Sequence, residues 1–443
     1  MAEEIRVRFA PSPTGKVHIG NIRAAIYNWL YARHVGGKFL LRVEDTDLER
    51  STPEAIQVLF ECMEWLGLDY DEEVFYQTKN VKRHLEVVEQ LLSSGHAYRC
   101  EKTSRDGKTG TVVMFKMPKE GVIEYDDIVK GHMAKKAEDI PDFAIVRSDG
   151  SPIFHIANVV DDIDQRVTHI IRGDDHVENT FKHICIFRAL GAPVPKYGHL
   201  SMIVNQQGKP YSKRDGDAFV GEFREKGYLP EALVNYLLLL GWNPGDDREV
   251  LSRDEMVKLF ELEKVHVTAA MFDPKKLAWM NGEYVKQIPH DAFKAELKQR
   301  VAGLEGLVDL EALDEAWWDY LVDQVQPRTK FLTDLPQSVV PFFADDYPFD
   351  EKAVAKRLAK DGVKATVLDL VDRFAKVDDW RAPVLEEMVK GLSQGQGMGP
   401  WVHPIRVAVS GRGEGIGLFE MLQLLGREKT LARLRAAAEK YCK

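Results

Sequence analysis

Residues 8 to 21 read RFAPSPTGKVHIGN and gather a cation (Arg8), a small-residue stretch (Ala10, Pro11, Ser12), two glycines (Gly15, Gly20), a histidine (His18) and an asparagine (Asn21). Ile5, Val7 and Phe9 alternate through its start. A strand therefore runs into a Pro/Gly turn and then into a helix, expected to begin near Ile22. The first N–H groups of a helix have no partner within it, so this turn reads as an anion cradle with the His18 ring as a further donor. The chemistry it suits is displacement at phosphorus, where donors stabilise charge building on a phosphate without a covalent bond. A second basic loop, GKPYSKRDG, carries Ser212, Lys213 and Arg214 between Gly208 and Gly216. A lysine on such a loop can close over a triphosphate and neutralise it during transfer. Taken alone, this basic loop reads as a solvated turn.

These residues need a frame. FLLRV (Phe39–Val43) reads as an apolar strand, Thr52 and Pro53 as the cap and first position of a helix through Ile56, Leu59, Phe60 and Met63, and a further helix ends at Gly95. That βαβα rhythm indicates a parallel, doubly wound sheet. Residues 96–142 break it, with SRDGKTG as an expected hairpin turn and TVVMFKM as a strand, and read as an inserted module. FAIVR, IFHIANVVDD and VTHIIRGDDH read as strands resuming the sheet, with Asp161, Asp162, Arg172, Asp174 and Asp175 at their polar ends, where α/β folds place ligands. Beyond Gly216 the strand signals fade. Pro230 and Pro274 open helices, and the remainder is helical, punctuated by prolines and by GLSQGQGMGP.

At 443 residues, several domains are expected. No apolar run approaches the ~18 residues of a membrane span. The longest, ALVNYLLLLGW, reads as a buried helix, and the acidic N-terminus resembles no targeting peptide. Four scattered cysteines, with no CxxC pair, argue against a disulfide framework and against a tetrahedral zinc site, and suit a reducing cytoplasm. The net charge of −10 suits solubility and does not exclude a local basic track for nucleic acid.

KVHIGN resembles the HIGH motif of class I aminoacyl-tRNA synthetases, FAPSPTG resembles the turn of the glutamyl-tRNA synthetases, and GKPYSKRDG resembles their KLSKRDG loop. The resemblance covers essentially the whole chain. It implies a Rossmann-like catalytic domain (1–95 and 143–220) with an acceptor-binding insert (96–142), a helical stem-contact domain (221–300) and a helical anticodon-binding domain (301–443). It implies L-glutamate, ATP with Mg²⁺ and tRNA(Glu) as substrates, leaves tRNA(Gln) open as a second acceptor, and suggests a monomer.

By the same resemblance, His18 and Lys213 are the catalytic pair, and Arg8, Ala10, Ser12, Glu44, Phe154, Asn158 and Arg172 form the glutamate pocket. Two guanidiniums there meet two carboxylates, and Glu44 meets the ammonium. ATP falls to Pro11, Gly15, His18, Gly20, Asn21, Asp175, Ile203, Ser212, Lys213 and Arg214. Three departures stand out. Phe154 replaces the family's tyrosine, Pro210 replaces the first lysine of its loop (Lys209 lies one place earlier), and the insert is short, with Cys100 and no cysteine cluster, so no zinc is expected. In the tail, Arg427, Lys429, Arg433 and Arg435 are candidate phosphate contacts, weighed against a solvated helix face. Glutaminyl-tRNA synthetases usually read PEPNG at the first turn and end in β-barrels. Truncated glutamyl-queuosine enzymes lack the anticodon region. A non-catalytic tRNA-binding paralogue is the remaining alternative.

Overall fold

Strand β1 (Arg6–Phe9) is buried on both faces, Arg6 and Arg8 included, as expected for a central parallel strand. The structure, a computed structural model, describes residues 4–13, 15–47, 50–103, 109–304, 310, 313–393 and 397–443. The chain forms two compact units, Met1–Met280 and Asn281–Lys443.

In the first unit, α1 (Ile19–Val35) leads from β1 to β2 (Lys38–Val43), which pairs parallel with β1. α2 (Pro53–Trp65) starts at the Thr52 cap and leads to β3 (Phe75–Tyr76), parallel to β2. After α3 (Val81–Ser93) come β4 (Ala97–Thr103), β5 (Thr109–Phe115), β6 (Val122–Asp127), β7 (Gly131–Lys136) and β8 (Phe143–Val146). The first, second and last of these five make a small antiparallel sheet. Most of the expected SRDGKTG turn lies outside the described residues.

The chain continues through α4 (Phe154–Asp164), β9 (His169–Gly173), α5 (Val177–Ala189), β10 (Lys196–Leu200) and β11 (Ile203–Val204). Next come α6 (Val220–Glu225), α7 (Pro230–Leu239), α8 (Arg253–Leu259), β12 (Ala270–Met271) and α9 (Pro274–Lys286). The second sheet runs β7-β6-β10-β9, so one hairpin of the inserted stretch is built into the catalytic sheet. The Thr168 N–H donates to the Arg6 carbonyl at 3.0 Å and ties β9 to β1. The carboxyl ends of β1, β2, β9 and β10 thereby reach one edge. Ile26 and Leu30 of α1 are fully buried beneath it, each worth about 1.5–3 kcal/mol.

Two readings are corrected here. IFHIANVVDD is not a strand but α4: Ile156, Val159, Val160 and Ile163 recur with helical spacing and face the core, which leaves Asn158, Asp161 and Asp162 together on another face. The helix expected near Ile22 starts at Ile19, because His18 caps it.

The second unit is helical: α10 (His290–Ala302), α11 (Glu315–Val325), α12 (Leu335–Phe343), α13 (Glu351–Arg357), α14 (Val363–Phe374), α15 (Ala382–Ser393), α16 (Gly399–Ser410), α17 (Leu418–Leu425) and α18 (Arg427–Lys440). α16 stops at Gly411, whose positive φ of 71° and contact with Pro348 suit only glycine.

Candidate active site

A cavity of about 670 Å³ opens at the shared strand edge. Arg8, Ala10, Pro11 and Ser12 reach it from the end of β1, His18, Gly20 and Asn21 from the start of α1, and Glu44 from the end of β2. Phe154 and Asn158 reach it from α4, Arg172 and Asp175 from β9 and the turn after it, and Ile203 from β11. The structure thus gathers thirteen of the residues singled out from the sequence in one cavity. Gly15, Ser212, Lys213 and Arg214 are not among those that line it; the basic loop reaches the rim through Pro210 and Tyr211, and Lys213 stands exposed two residues further on.

The anion cradle differs from expectation. The Ile19 N–H donates to the Ala218 carbonyl, that of Gly20 to His18 Nδ1 at 3.0 Å, and those of Asn21 and Ile22 to the His18 carbonyl. The first helical donors are therefore already used; the cavity-facing group at this end is the imidazole, whose N–H is shared with the Tyr211 backbone. Because Nδ1 accepts, the neutral ring carries its proton on Nε2. Burial keeps the His18 pKa below its ordinary value, against a hydrogen bond to the Tyr211 backbone, so the neutral donor is the form present near pH 7. A Cβ at Gly20 would lie 3.2 Å from His18 Nδ1, so that glycine makes room for the cap itself.

The amino-acid half of the cavity is a charged network. Asp162 Oδ1 accepts from Arg8 Nε at 3.0 Å and from Arg42 Nη1 at 2.7 Å. Glu44 Oε1 accepts from Asn158 Nδ2 at 2.8 Å and from Arg42 Nη2 at 3.3 Å. Burial opposes every charge here. For Arg42 the Asp162, Glu44 and Asp161 carboxylates outweigh it and raise the pKa, and for Asp162 the two guanidiniums outweigh it and lower the pKa. For Glu44 burial wins and the pKa is raised. Asp161 belongs to a separate cluster, accepting from Gln77, Asn80 and His84. Neither aspartate is the cavity-facing strand end expected from the sequence.

Arg172 is 7% exposed and, among the described residues, has no carboxylate in contact; Nε donates to His199 Nε2 at 3.3 Å and Nη2 to Thr180 Oγ1 at 2.7 Å. Burial without a counter-charge pulls its pKa down to about 10, still a cation at neutral pH. Among the described residues, both Arg8 Nη groups, Arg172 Nη1 and Glu44 Oε2 have no protein partner. The guanidiniums Arg8, Arg42 and Arg172 outnumber the carboxylates Asp162 and Glu44 by one. A zwitterion with one further carboxylate balances that excess, whereas its neutral amide does not.

Sequence reasoning missed several cavity residues: Arg23, His176, Asn179 and Tyr211. Arg23 was visible as one cation in the apolar run IRAAIYNWL. It is 2% exposed and donates to the Ser201 carbonyl at 2.6 Å, just before Ile203.

In the second unit a cavity of about 1130 Å³ is lined by Arg328, Lys330, Lys352, Lys356, Arg357 and Arg412, by Phe331 and Phe349, and by Asp334, Asp350 and Glu414. The tail cations behave differently from one another. Arg433 is buried and donates to the Val409 and Ala344 carbonyls, Arg427 donates to the Val377 carbonyl, Lys429 pairs with Asp345, and Arg435 is exposed. Arg433 is thus an internal brace, neither a phosphate contact nor part of a solvated face.

Parallel strands delivering two arginines, a glutamate and a capping histidine to one cleft, in a chain that also carries a helical unit, define a class I aminoacyl-tRNA synthetase. Residues 4–109 and 101–279 match the family described as tRNA synthetases class I (E and Q), catalytic domain, and residues 283–438 match the anticodon binding domain. A glutamate–tRNA ligase of Francisella philomiragia is 40% identical over 474 residues, 99% of each chain. That of Symbiobacterium thermophilum is 38% identical over 97% of this chain and 99% of its own. A solved glutamate tRNA ligase from Elizabethkingia meningosepticum, in complex with its amino acid, aligns over 99% of this chain and all of its own at 29% identity with a TM-score of 0.86. The chain belongs to the glutamate–tRNA ligase family.

Proposed function

We propose that the cavity holds glutamate by Arg8 and Arg172 on its two carboxylates and by Glu44, oriented by Asn158, on its ammonium. Ala10, Ser12 and Phe154 shape the remaining walls. The observation that carries this reading is the single unbalanced guanidinium of the network. ATP lies toward Pro11, His18, Gly20, Asn21, Asp175 and Ile203, and Mg²⁺ enters on its phosphates, as this ion usually does. The α-carboxylate of glutamate attacks the α-phosphate and pyrophosphate leaves; the 2′-hydroxyl of the terminal tRNA adenosine then attacks the carbonyl of the glutamyl-adenylate, the acyl–phosphate bond breaks and AMP leaves. His18 donates through Nε2 to the charge developing on phosphate, and Lys213 neutralises the leaving pyrophosphate after its loop closes. No side-chain nucleophile takes part; positioning and electrostatics supply the acceleration.

The test is ATP–pyrophosphate exchange with glutamate. Exchange is expected with tRNA present and to be much slower without it, and full-rate exchange in the absence of tRNA contradicts the scheme. The basic, aromatic-bearing cavity of the second unit suits the anticodon, and charging of purified tRNA(Gln) reads out a second acceptor. We take the enzyme to be a cytoplasmic monomer, which sedimentation at working concentration checks.

Phe154 sits among histidines, 5.7 Å from the His176 ring and 5.5 Å from the His183 ring, and lacks the hydroxyl of the tyrosine that the motif resemblance implies at this position. A hydrogen bond to a charged group is worth about 1.5–3 kcal/mol. Phe154→Tyr is therefore expected to lower the KM for glutamate by about tenfold or more, and an unchanged KM counts against the placement of the amino acid. Zinc is expected to be absent. Cys100 on β4 and the exposed His96 supply too few ligands for a tetrahedral site, and one zinc per chain in chelator-free protein would overturn this.

A further inference from the structure

We propose that His199 and Asp127 form a positioning pair that aims the Arg172 guanidinium at its substrate carboxylate, so that the inserted stretch takes part in amino-acid recognition. This rests on the reading that Arg172 binds one of glutamate's carboxylates.

Arg172 Nε donates to His199 Nε2 at 3.3 Å. To accept, that nitrogen must be bare, so the proton of a neutral ring lies on Nδ1. Nδ1 is 2.5 Å from Asp127 Oδ2, which selects that tautomer. Asp127 is itself fixed, because its Oδ1 accepts from the backbone N–H groups of Val129, Lys130 and His199 at 2.9, 2.8 and 3.2 Å. The Tyr197 ring stacks on His199 at 5.9 Å and lies 5.6 Å from the guanidinium carbon, and Thr180 Oγ1 accepts from Arg172 Nη2 and donates its proton to the same bare His199 Nε2 at 3.0 Å. Neither imidazole nor guanidinium has room to swing. Asp127 ends β6 within the inserted stretch, paired through Tyr197 with β10, the strand that carries His199.

The arrangement solves a specific problem. A carboxylate placed directly on Arg172 would orient it but also occupy and neutralise it. A neutral imidazole between the two orients the fork and leaves its charge to the substrate. The charged and titratable groups around His199 are Arg172, Asp127, Lys130, His176, Tyr125 and Tyr197. Burial, the first of the influences on it, lowers the His199 pKa and keeps the ring neutral.

The experiment is steady-state aminoacylation by the full chain, with KM read separately for glutamate and ATP. His199→Phe keeps a ring and removes the acceptor. It is expected to raise the glutamate KM by about tenfold while the ATP KM moves less than about twofold. Asp127→Asn should move the glutamate KM in the same direction, and His199→Gln, which restores an acceptor, should fall between His199→Phe and the unsubstituted chain. A glutamate KM unchanged in both His199→Phe and Asp127→Asn, or a parallel rise in both KM values, overturns the proposal. Should His199→Phe fail to fold, Asp127→Asn and His199→Gln decide it. Arg172→Lys separates the two levels. If it raises the glutamate KM while His199→Phe and Asp127→Asn do not, the positioning pair alone is wrong; if it leaves the KM unchanged, the carboxylate-binding reading of Arg172 is wrong.

Discussion

Lys213→Ala is expected to lower turnover by about 10²–10³-fold while the glutamate KM stays within about threefold. Lys213 is exposed and stands apart from the network that holds Arg8, Arg42, Glu44 and Asp162, so its loss leaves the amino-acid pocket untouched. Its loop is anchored on both sides. Tyr211 is buried, its ring 4.5 Å from that of Phe272 and its N–H on the Ile203 carbonyl at 2.9 Å. Asp215 accepts from Ser212 N and Oγ at 2.9 and 3.0 Å and from Asn205 Nδ2 at 2.7 Å. Lys213 lies between these anchors, free to travel a short way to a triphosphate at the rim. Its charge matters when pyrophosphate departs, which places the loss in kcat. Pyrophosphate exchange and single-turnover adenylate formation read this directly. A variant with normal turnover and a raised glutamate KM would show that the loop belongs to the amino-acid site.

Asp162→Asn is expected to destabilise the fold by about 3–5 kcal/mol, because it leaves Arg8 and Arg42 buried beside a group that no longer carries the opposing charge. Urea unfolding of the full chain measures it. The pH dependence has a definite sign. The folded-state pKa of Asp162 is depressed by Arg42 and Arg8, which outweigh burial, so its stabilisation is complete above the ordinary aspartate range near ~4 and is lost as pH falls through the depressed value. The substituted chain should lose that part of its acid sensitivity. A second substitution, Arg42→Met, should recover part of the stability by removing one stranded cation. A loss below about 1 kcal/mol would mean that the network is solvated and that its unbalanced charge does not select the substrate.

Local signals were sufficient for much of this molecule. The strand and the turn of RFAPSPTGKVHIGN, the Thr52–Pro53 helix start, the proline-led helices at 230 and 274 and the helical C-terminal part follow from periodicity and backbone restrictions that act within a few residues. Arg8, Glu44, Asn158 and Arg172 were singled out through the motif resemblance, and the fold brings all four to one cavity. IFHIANVVDD was misread because Asn158, Asp161 and Asp162 are buried along with Ile156, Val159 and Val160, so that no solvent-facing stripe marks the helix over so short a run.

The partners of those residues were decided by tertiary structure alone. That Arg8 shares Asp162 with Arg42 and that Arg172 leans on a histidine backed by an aspartate of the insert depend on which strands lie side by side, and that Arg433 braces two carbonyls depends on how the C-terminal helices pack. Residue type sets what a group can donate, accept or charge. Its free donors and its pKa are set by neighbours tens to more than a hundred positions away in the chain, brought together when β9 docks on β1 and β6 on β10.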